Sequence, residues 1–477
     1  MESTSSLKAE ASPLYRELAD QVLRLITRGT FRPGERIPSV RGLSRQRKVS
    51  ITTVLEAYRL LEDSGYIEAR PQSGYFVRPR LLRLPEEPEA TSPPRIPGNV
   101  SNQDLLAMVL RDAIKPGVVP LGAALPPAEH LPSETLGRTL ARIARRSRNR
   151  LMEPAAGAPE LRAQIARRAL DAGCALTPQD ILTTNGCQEA VYFALSATCR
   201  PGDTVVVESP TYFGFLQVID ALGLRVLELR SYPRHGLCLD ELSEALRKHR
   251  VRACLLALSH ANPLGSCMPE DKREKLVSML AEKGIPLIED DINGDLGHAG
   301  GRPKAAKAFD EEGLVLLCSS FSKTLAPGYR VGWIAPGRFG DAILRLKTLA
   351  NFANPTPTQL AIADFLANGG YDRHLRKFRR ALANNVAMVT QAVSLSFPEG
   401  TRVTRPSGGF VIWAELPGSC DGLEVYERAL KAGITIAPGP LFSAKGAYRN
   451  FIRLNAGSWS DRVRQAVVTL GKLASRS

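Results

Sequence analysis

Residues 319–333 read SSFSKTLAPGYRVGW, and they decide the fold of most of the chain. The stretch continues an apolar run, LVLLC (314–318), and sets one amine, Lys323, behind Ser320 and Ser322 and seven residues ahead of Arg330. An amine that condenses with an aldehyde must be partly neutral, and a desolvated, cation-rich site arranges this by lowering its pKa. A phosphate held beside it wants hydroxyl donors, backbone N–H groups and a guanidinium fork. Lys323, Ser320, Ser322 and Arg330 supply that set.

Working outward, four more apolar runs precede this one: DILTTNG (180–186), DTVVVESP (203–210), ACLLALSH (253–260) and IPLIEDD (285–291). They lack polar alternation and are separated by amphipathic helical stretches, the pattern of strands covered on both faces in a largely parallel α/β sheet. Ligands of such sheets lie beyond the carboxyl ends of the strands, and the chemistry-bearing residues fall there. TTNGCQEA places Gly186, Cys187 and Gln188 at a strand-to-helix turn whose backbone amides could hold phosphate. ESPTYFG offers Tyr212 as a flat stacking surface, and SHANPLG offers Asn262 as a neutral donor. IEDDINGDL places Asp290 where a carboxylate could keep a pyridine nitrogen protonated. Each alone is weak, because S-x-x-K and N-P-x-G are usually turns; all in this order, each at a strand end, form a strong joint signal.

The other end of the chain has a different character. Leu14, Leu18, Val22, Leu25 and Ile26 share one helical face that ends at Gly29, a fitting C-cap. Ser39 and Ser50 are placed as N-caps of two short helices joined by a tight turn, and YIEARPQSGYFVR (66–78) alternates like a small hairpin. Arg41, Arg45, Arg47 and Lys48 crowd this region, and residues 1–80 hold 14 Lys/Arg against 9 Asp/Glu. Helix, helix-turn-helix and hairpin make a winged helix, whose second helix of the pair presents its first turn to base edges. Residues 14–78 resemble the winged-helix domain of the GntR family. That resemblance implies DNA contacts from Arg41, Ser50, Ile51, Thr52 and Thr53, with a wing at Ser73 and Gly74 entering the minor groove. Many family members carry arginine where this chain has Ile51, so a guanine reader is replaced by a side chain suited to a thymine methyl.

Between the two ends, residues 79–98 carry six prolines among twenty residues. Such a segment reads as an extended linker, able at about 3.1 Å per residue to span on the order of 60 Å. The domain reading is therefore a DNA-binding head over 1–78, a linker over 79–100 and an α/β unit over 101–477. The last divides into a large domain at about 155–345 and a small one from about 101–150 plus 350–477.

Residues 101–472 resemble the fold-type I aminotransferases that depend on pyridoxal 5′-phosphate. The resemblance implies that Lys323 forms the internal aldimine, Asp290 pairs with the pyridine nitrogen, Asn262 bonds the ring hydroxyl and Tyr212 stacks on the ring. It implies phosphate binding by Gly186, Cys187, Gln188, Ser320, Ser322 and Arg330. In FIRLNAG it implies that Arg453 clamps the carboxylate of an amino acid. Two positions depart from the family pattern: Asn293 and Met152 stand where tyrosines usually reach the ring hydroxyl and the neighbouring subunit's phosphate.

A winged helix of this type joined to such a domain is the architecture of the MocR subfamily of GntR-type transcription regulators. It implies a cytoplasmic, head-to-tail homodimer that binds an operator in double-stranded DNA and senses an amino acid or amine through external aldimine formation. The alternative is an active aminotransferase carrying a DNA-binding domain. The composition agrees with either. Of 477 residues 44% are hydrophobic, the formal charge of +15 favours anionic partners, and no stretch reaches the roughly 20 apolar residues of a membrane span. MESTSSLKAE lacks the basic start and apolar run of a signal peptide. The eight cysteines are scattered without a C-x-x-C pair, which argues against a disulfide framework or a metal site and for a reducing compartment.

Overall fold

The structure, a computed structural model, describes residues 14–27, 30–31, 34–63, 66–70, 73–77, 85–101, 103–112, 115, 117–146 and 152–475. The chain divides into two compact units, residues 1–84 and 85–477.

In the first unit α1 (Leu14–Thr27) buries Leu18, Ala19 and Val22 against α2 (Val40–Arg47) and α3 (Ile51–Asp63). The expected cap at Gly29 lies outside the described residues, and Leu14 stays more than half exposed. Ser39 caps α2 by accepting from the Gly42 amide at 3.1 Å, and Lys48, at φ 53°, ends it in the left-handed region. Two residues later Ser50 caps α3 by accepting from the Thr53 amide at 3.0 Å. These caps satisfy orphan helix donors and fix the tight turn that the two serines predict. Strands β1 (Ile67–Arg70) and β2 (Gly74–Val77) form the antiparallel wing. The Tyr58 hydroxyl, rooted in this core, donates to the Pro38 carbonyl at 2.7 Å and locks α3 to the segment before α2.

In the second unit the central sheet runs, edge to edge, through strands Leu182–Thr184, Gly332–Ala335, Val315–Ser320, Leu287–Asp290, Val251–Leu256, Thr204–Ser209, Arg225–Tyr232 and Gly236–Leu237. All five predicted apolar runs are strands in it. The parallel expectation holds for six members. Gly332–Ala335 and Gly236–Leu237 run antiparallel, so the sheet is mixed. Every residue of Thr204–Ser209 and Val315–Ser320 is buried, which is why these strands show no alternation. A smaller antiparallel sheet, in the order Arg402–Val403, Val411–Glu415, Phe451–Asn455 and Ala437–Pro438, packs with the C-terminal helices around Trp413, Phe442 and Phe451.

The described part of the proline-dense segment, expected as a spacer, lies along this second unit. Its beginning is held to the small sheet: the Val403 amide donates to the Glu86 carbonyl at 2.8 Å, and the Arg405 amide to Glu87 Oε1 at 3.0 Å. Its end is held beside the central sheet, where Arg95 pairs with Glu241 at 2.8 Å and with Glu244, and Gly98 bridges Val226. Midway, Thr91 Oγ1 donates to the Tyr448 hydroxyl at 2.8 Å, which lies 2.9 Å from Ser209 Oγ. Prolines supply the extended backbone, and the flanking arginines and glutamates supply the attachment. Among the described residues no helix is long and apolar enough to cross a membrane.

Candidate functional site

A cavity of about 170 Å³ lies at the carboxyl ends of the central strands. The structure brings Lys323, Asp290, Asn262, Tyr212, Cys187, Gln188, Ser320, Ser322 and Arg330 to its wall. Asp290 terminates strand Leu287–Asp290, Ser320 terminates the next strand, and Lys323 follows in the turn after it.

One end of the cavity is built for an anion. Gly186, at φ 87°, caps the helix Cys187–Thr198, whose first-turn amides lack intrahelical partners. A Cβ on Gly186 would fall 2.2 Å from Arg330 Nη2, so glycine is what admits the guanidinium. Arg330 Nη2 donates to the Asn185 carbonyl at 2.9 Å and Nη1 to Ser322 Oγ at 3.3 Å, while the Ser322 amide donates to Ser320 Oγ at 3.3 Å. Gln188 Nε2 donates to the Gly214 carbonyl at 2.8 Å. A Cβ on Gly214 would fall 2.3 Å from the Tyr212 ring, so glycine is what lets the ring approach this closely.

The other groups set the electrostatics. Asp290 is buried, and Oδ1 accepts from the Ile292 amide at 3.0 Å and from the Cys187 thiol at 3.4 Å. The Cys187 side chain is thus turned to the carboxylate, which leaves only its backbone for an anion. Burial pushes Asp290 up to about 6, against those two hydrogen bonds. Burial, assisted by the nearby Arg453 cation and opposed by Asp290, pushes Lys323 down to about 8. Its amine donates to the Ala124 carbonyl. Arg453 lies behind Asn262, 1% exposed, and donates to Asn262 Oδ1 at 3.1 Å and to the Gly122 carbonyl. Among the described residues its Nε has no hydrogen-bond partner and no carboxylate pairs with it. Burial lowers its pKa to about 10.

Asn293 lines the cavity but spends its amide on the His260 carbonyl at 3.0 Å. Met152 is exposed and does not line the cavity. Sequence reasoning missed the segment 122–125 and Asn455. Asn455 Nδ2 holds the Ala123 and Leu125 carbonyls at 2.7 and 2.9 Å. Only the position of Asn455, two residues past Arg453 on the same strand face, could have signalled it.

These residues fit pyridoxal phosphate: an anion cradle that a Cβ would fill, a buried carboxylate for a ring cation, a lysine with lowered pKa and a stacking ring.

On the head, Arg41, Ser50, Ile51, Thr52 and Ser73 are exposed and Thr53 partly so. Ser50 Oγ is already engaged by the Thr53 amide and hydroxyl, the latter at 2.8 Å. Thr52 Oγ1 also accepts from Ser50 Oγ, at 3.4 Å, so Ile51, 49% exposed, is the side chain of the α3 start that these contacts leave uncommitted. Gly74, at φ 99°, forms the wing tip, where a Cβ would come within 3.1 Å of the Arg36 guanidinium.

Comparison with known proteins agrees with this division. Residues 116–470 match the aminotransferase class I and II family, and residues 14–77 match the bacterial regulatory proteins of the gntR family. The chain is 37% identical to the uncharacterised HTH-type transcriptional regulator YjiR of Escherichia coli K12, over 97% of this chain and 99% of that one. It is 28% identical to the HTH-type transcriptional regulator TauR of Rhodobacter capsulatus, over 92% of each. The α-aminoadipate aminotransferase LysN of Thermus thermophilus, solved with N-(5′-phosphopyridoxyl)-L-leucine, superposes with a TM-score of 0.72. That match has 27% identity and covers 77% of this chain and 94% of that one.

Proposed function

The chain belongs to the aminotransferase class I and II family and carries a gntR-family head on the same polypeptide, and from that premise we propose a DNA-binding transcription regulator of the MocR type whose effector is an amino acid or amine. The cofactor of the fold is pyridoxal 5′-phosphate. When bound, it supplies an aldehyde that condenses reversibly with primary amines.

The chain's own residues divide the remaining work. Ser320, Ser322, Arg330 and the amides at Gly186, Cys187 and Gln188 hold the phosphate. Asp290 keeps the proton on the ring nitrogen, Asn262 bonds the ring hydroxyl and Tyr212 covers the ring. Lys323 would hold the aldehyde, and Arg453 would take the carboxylate of an amino-acid effector. The observation that carries this reading is the buried Arg453, without a carboxylate partner among the described residues, bonded to a cavity residue on a chain that also bears a DNA-reading head.

The strap over residues 85–98 supports a route for the signal. It is tied to the small sheet at one end and to the large domain at the other, so a small-domain rotation drags the segment through which the head is attached. We also propose a head-to-tail homodimer; pairing of two copies, though not their orientation, is supported by the exposure of Leu349 (84%) and Phe352 (66%), two large apolar side chains that a second copy would cover. We place the protein in the cytoplasm, where its operator is.

The intact set of Lys323, Asp290 and Arg453 favours the second reading, a working aminotransferase with a DNA-binding appendage. Titrating the cofactor-loaded protein with amino acids separates the two. A regulator shows a spectral change matched by a change in DNA affinity, and an enzyme shows sustained turnover with a keto acid.

A further inference from the structure

We propose that the effector is an α-amino acid with an uncharged, apolar side chain, and that Leu125 and Phe410 select it. This deepens the reading that the cavity takes an amine effector, and rests on it.

The first observation is where the charges are. The ionisable residues lining the cavity are Cys187, Tyr212, Asp290, Lys323 and Arg330. Cys187 is bonded to Asp290, and Arg330 faces Ser322 at the anion end. No other Lys, Arg, His, Asp or Glu lines the cavity among the described residues. A charged group on the effector's side chain would leave water without a partner from this chain there, a strongly unfavourable transfer.

The second is what the rest of the wall offers. Ala124, Leu125, Phe410 and Val411 line it. Phe410 is buried and packs with Leu296, Phe378 and Leu382, so that side is a fixed apolar surface. Leu125, by contrast, is 54% exposed, apolar area that a ligand would remove from water.

The third is that Leu125 is held in register with the groups that would read the rest of the effector. Four consecutive carbonyls are hydrogen-bonded: Gly122 by Arg453, Ala124 by Lys323, and Ala123 and Leu125 by Asn455. A Cβ on Gly122 would meet the Ile436 carbonyl at 2.6 Å, so the segment is pressed against its neighbour and cannot retreat. The residues assigned to the effector's amine and carboxylate thus also fix the backbone that presents Leu125. Asn455 is a positioning residue in this scheme.

The test is a titration of the full-length, cofactor-loaded protein with L-leucine, L-phenylalanine, L-glutamate and L-lysine. It is read by visible absorption and, independently, by the ligand-induced shift in melting temperature. Leucine or phenylalanine is expected to bind at least about tenfold more tightly than glutamate or lysine. L125A should weaken the apolar ligands by about three- to tenfold and leave glutamate unchanged. L125R should bring glutamate to within about threefold of leucine by supplying a cationic partner. Tightest binding of glutamate or lysine, or an L125A effect equal on all four ligands, overturns the proposal. If no amine changes either readout in protein that does take up the cofactor, the amine-effector reading itself fails, and this inference with it.

Discussion

Arg453 Nη1 donates to Asn262 Oδ1 across 3.1 Å, joining two residues 191 apart in sequence. The bond ties the guanidinium that we propose reads an effector's carboxylate to the amide that we propose reads the cofactor's hydroxyl. A carboxylate arriving at Arg453 therefore competes for, or adds to, a donor that already orients Asn262.

The first prediction follows from it. The wild-type protein should prefer L-phenylalanine over 2-phenylethylamine, which lacks the carboxylate, by about thirtyfold, as expected for a charge-assisted pair of about 2 kcal/mol. Arg453→Met should abolish that preference while retaining response to the amine. Spectral titration of both proteins checks it, and an undiminished preference in the variant would remove Arg453 from the carboxylate site.

In the cofactor-free protein the burial of Asp290 carries an electrostatic cost. Asp290 has its folded pKa raised from 3.8 to about 6 by burial, so between those values the folded state holds more protons than the unfolded one. Stability of the cofactor-free protein must then fall as pH rises from about 4 to 6. Asp290→Asn removes this term. The variant should melt higher than wild type at pH 7, by an amount on the order of 3 kcal/mol at most, with the gap closing below about pH 4. It should also lose cofactor affinity. Equal melting of the two proteins across this range would show that the carboxylate is not penalised by burial.

Tyr448 links the strap to the domain junction. Its hydroxyl sits between Thr91 and Ser209, and its ring packs on Trp413 and Phe451 of the small sheet. Tyr448→Phe keeps the ring and removes both hydroxyl contacts, at about 1–3 kcal/mol of stability. The effector's spectral change should persist, and its effect on DNA affinity should shrink. A full DNA response in this variant, and in Thr91→Val, would sink the strap as the route.

How much of this was legible in the sequence follows the physics of each signal. Fully buried strands read as unbroken Val, Ile and Leu runs, and strand-end motifs carried Lys323, Asp290, Asn262 and Gly186, so the pocket floor was visible in one dimension. The antiparallel insertion of Gly332–Ala335 was not, because strand direction leaves no mark on composition. The strap was misleading for a related reason. Proline excludes helix and central strand but does not distinguish a free spacer from a segment pinned by Glu86, Glu87 and Arg95, since the partners lie more than a hundred residues away. Leu125 and Asn455 were silent, because their roles depend on carbonyls that only the fold brings together.

In the head, the caps and the readers separate. Ser50→Ala should cost about 0.5–2 kcal/mol of stability through loss of the α3 cap. Arg41→Ala should weaken binding to all duplexes and lower the salt slope by about 1, as expected for one phosphate contact. Ile51→Ala should change sequence preference with an unchanged slope. Binding isotherms over a range of salt, on duplexes selected from random sequence, distinguish the three.

The most direct test of the central claim joins the two units in one experiment. Cofactor-loaded full-length protein is titrated with the best-binding amino acid while visible absorption and affinity for a selected duplex are recorded together. We predict a shared midpoint for the two curves, no sustained formation of keto acid, and loss of both responses in Lys323→Ala. A spectral change accompanied by steady turnover, with DNA affinity constant throughout, would contradict the account and make the chain an enzyme.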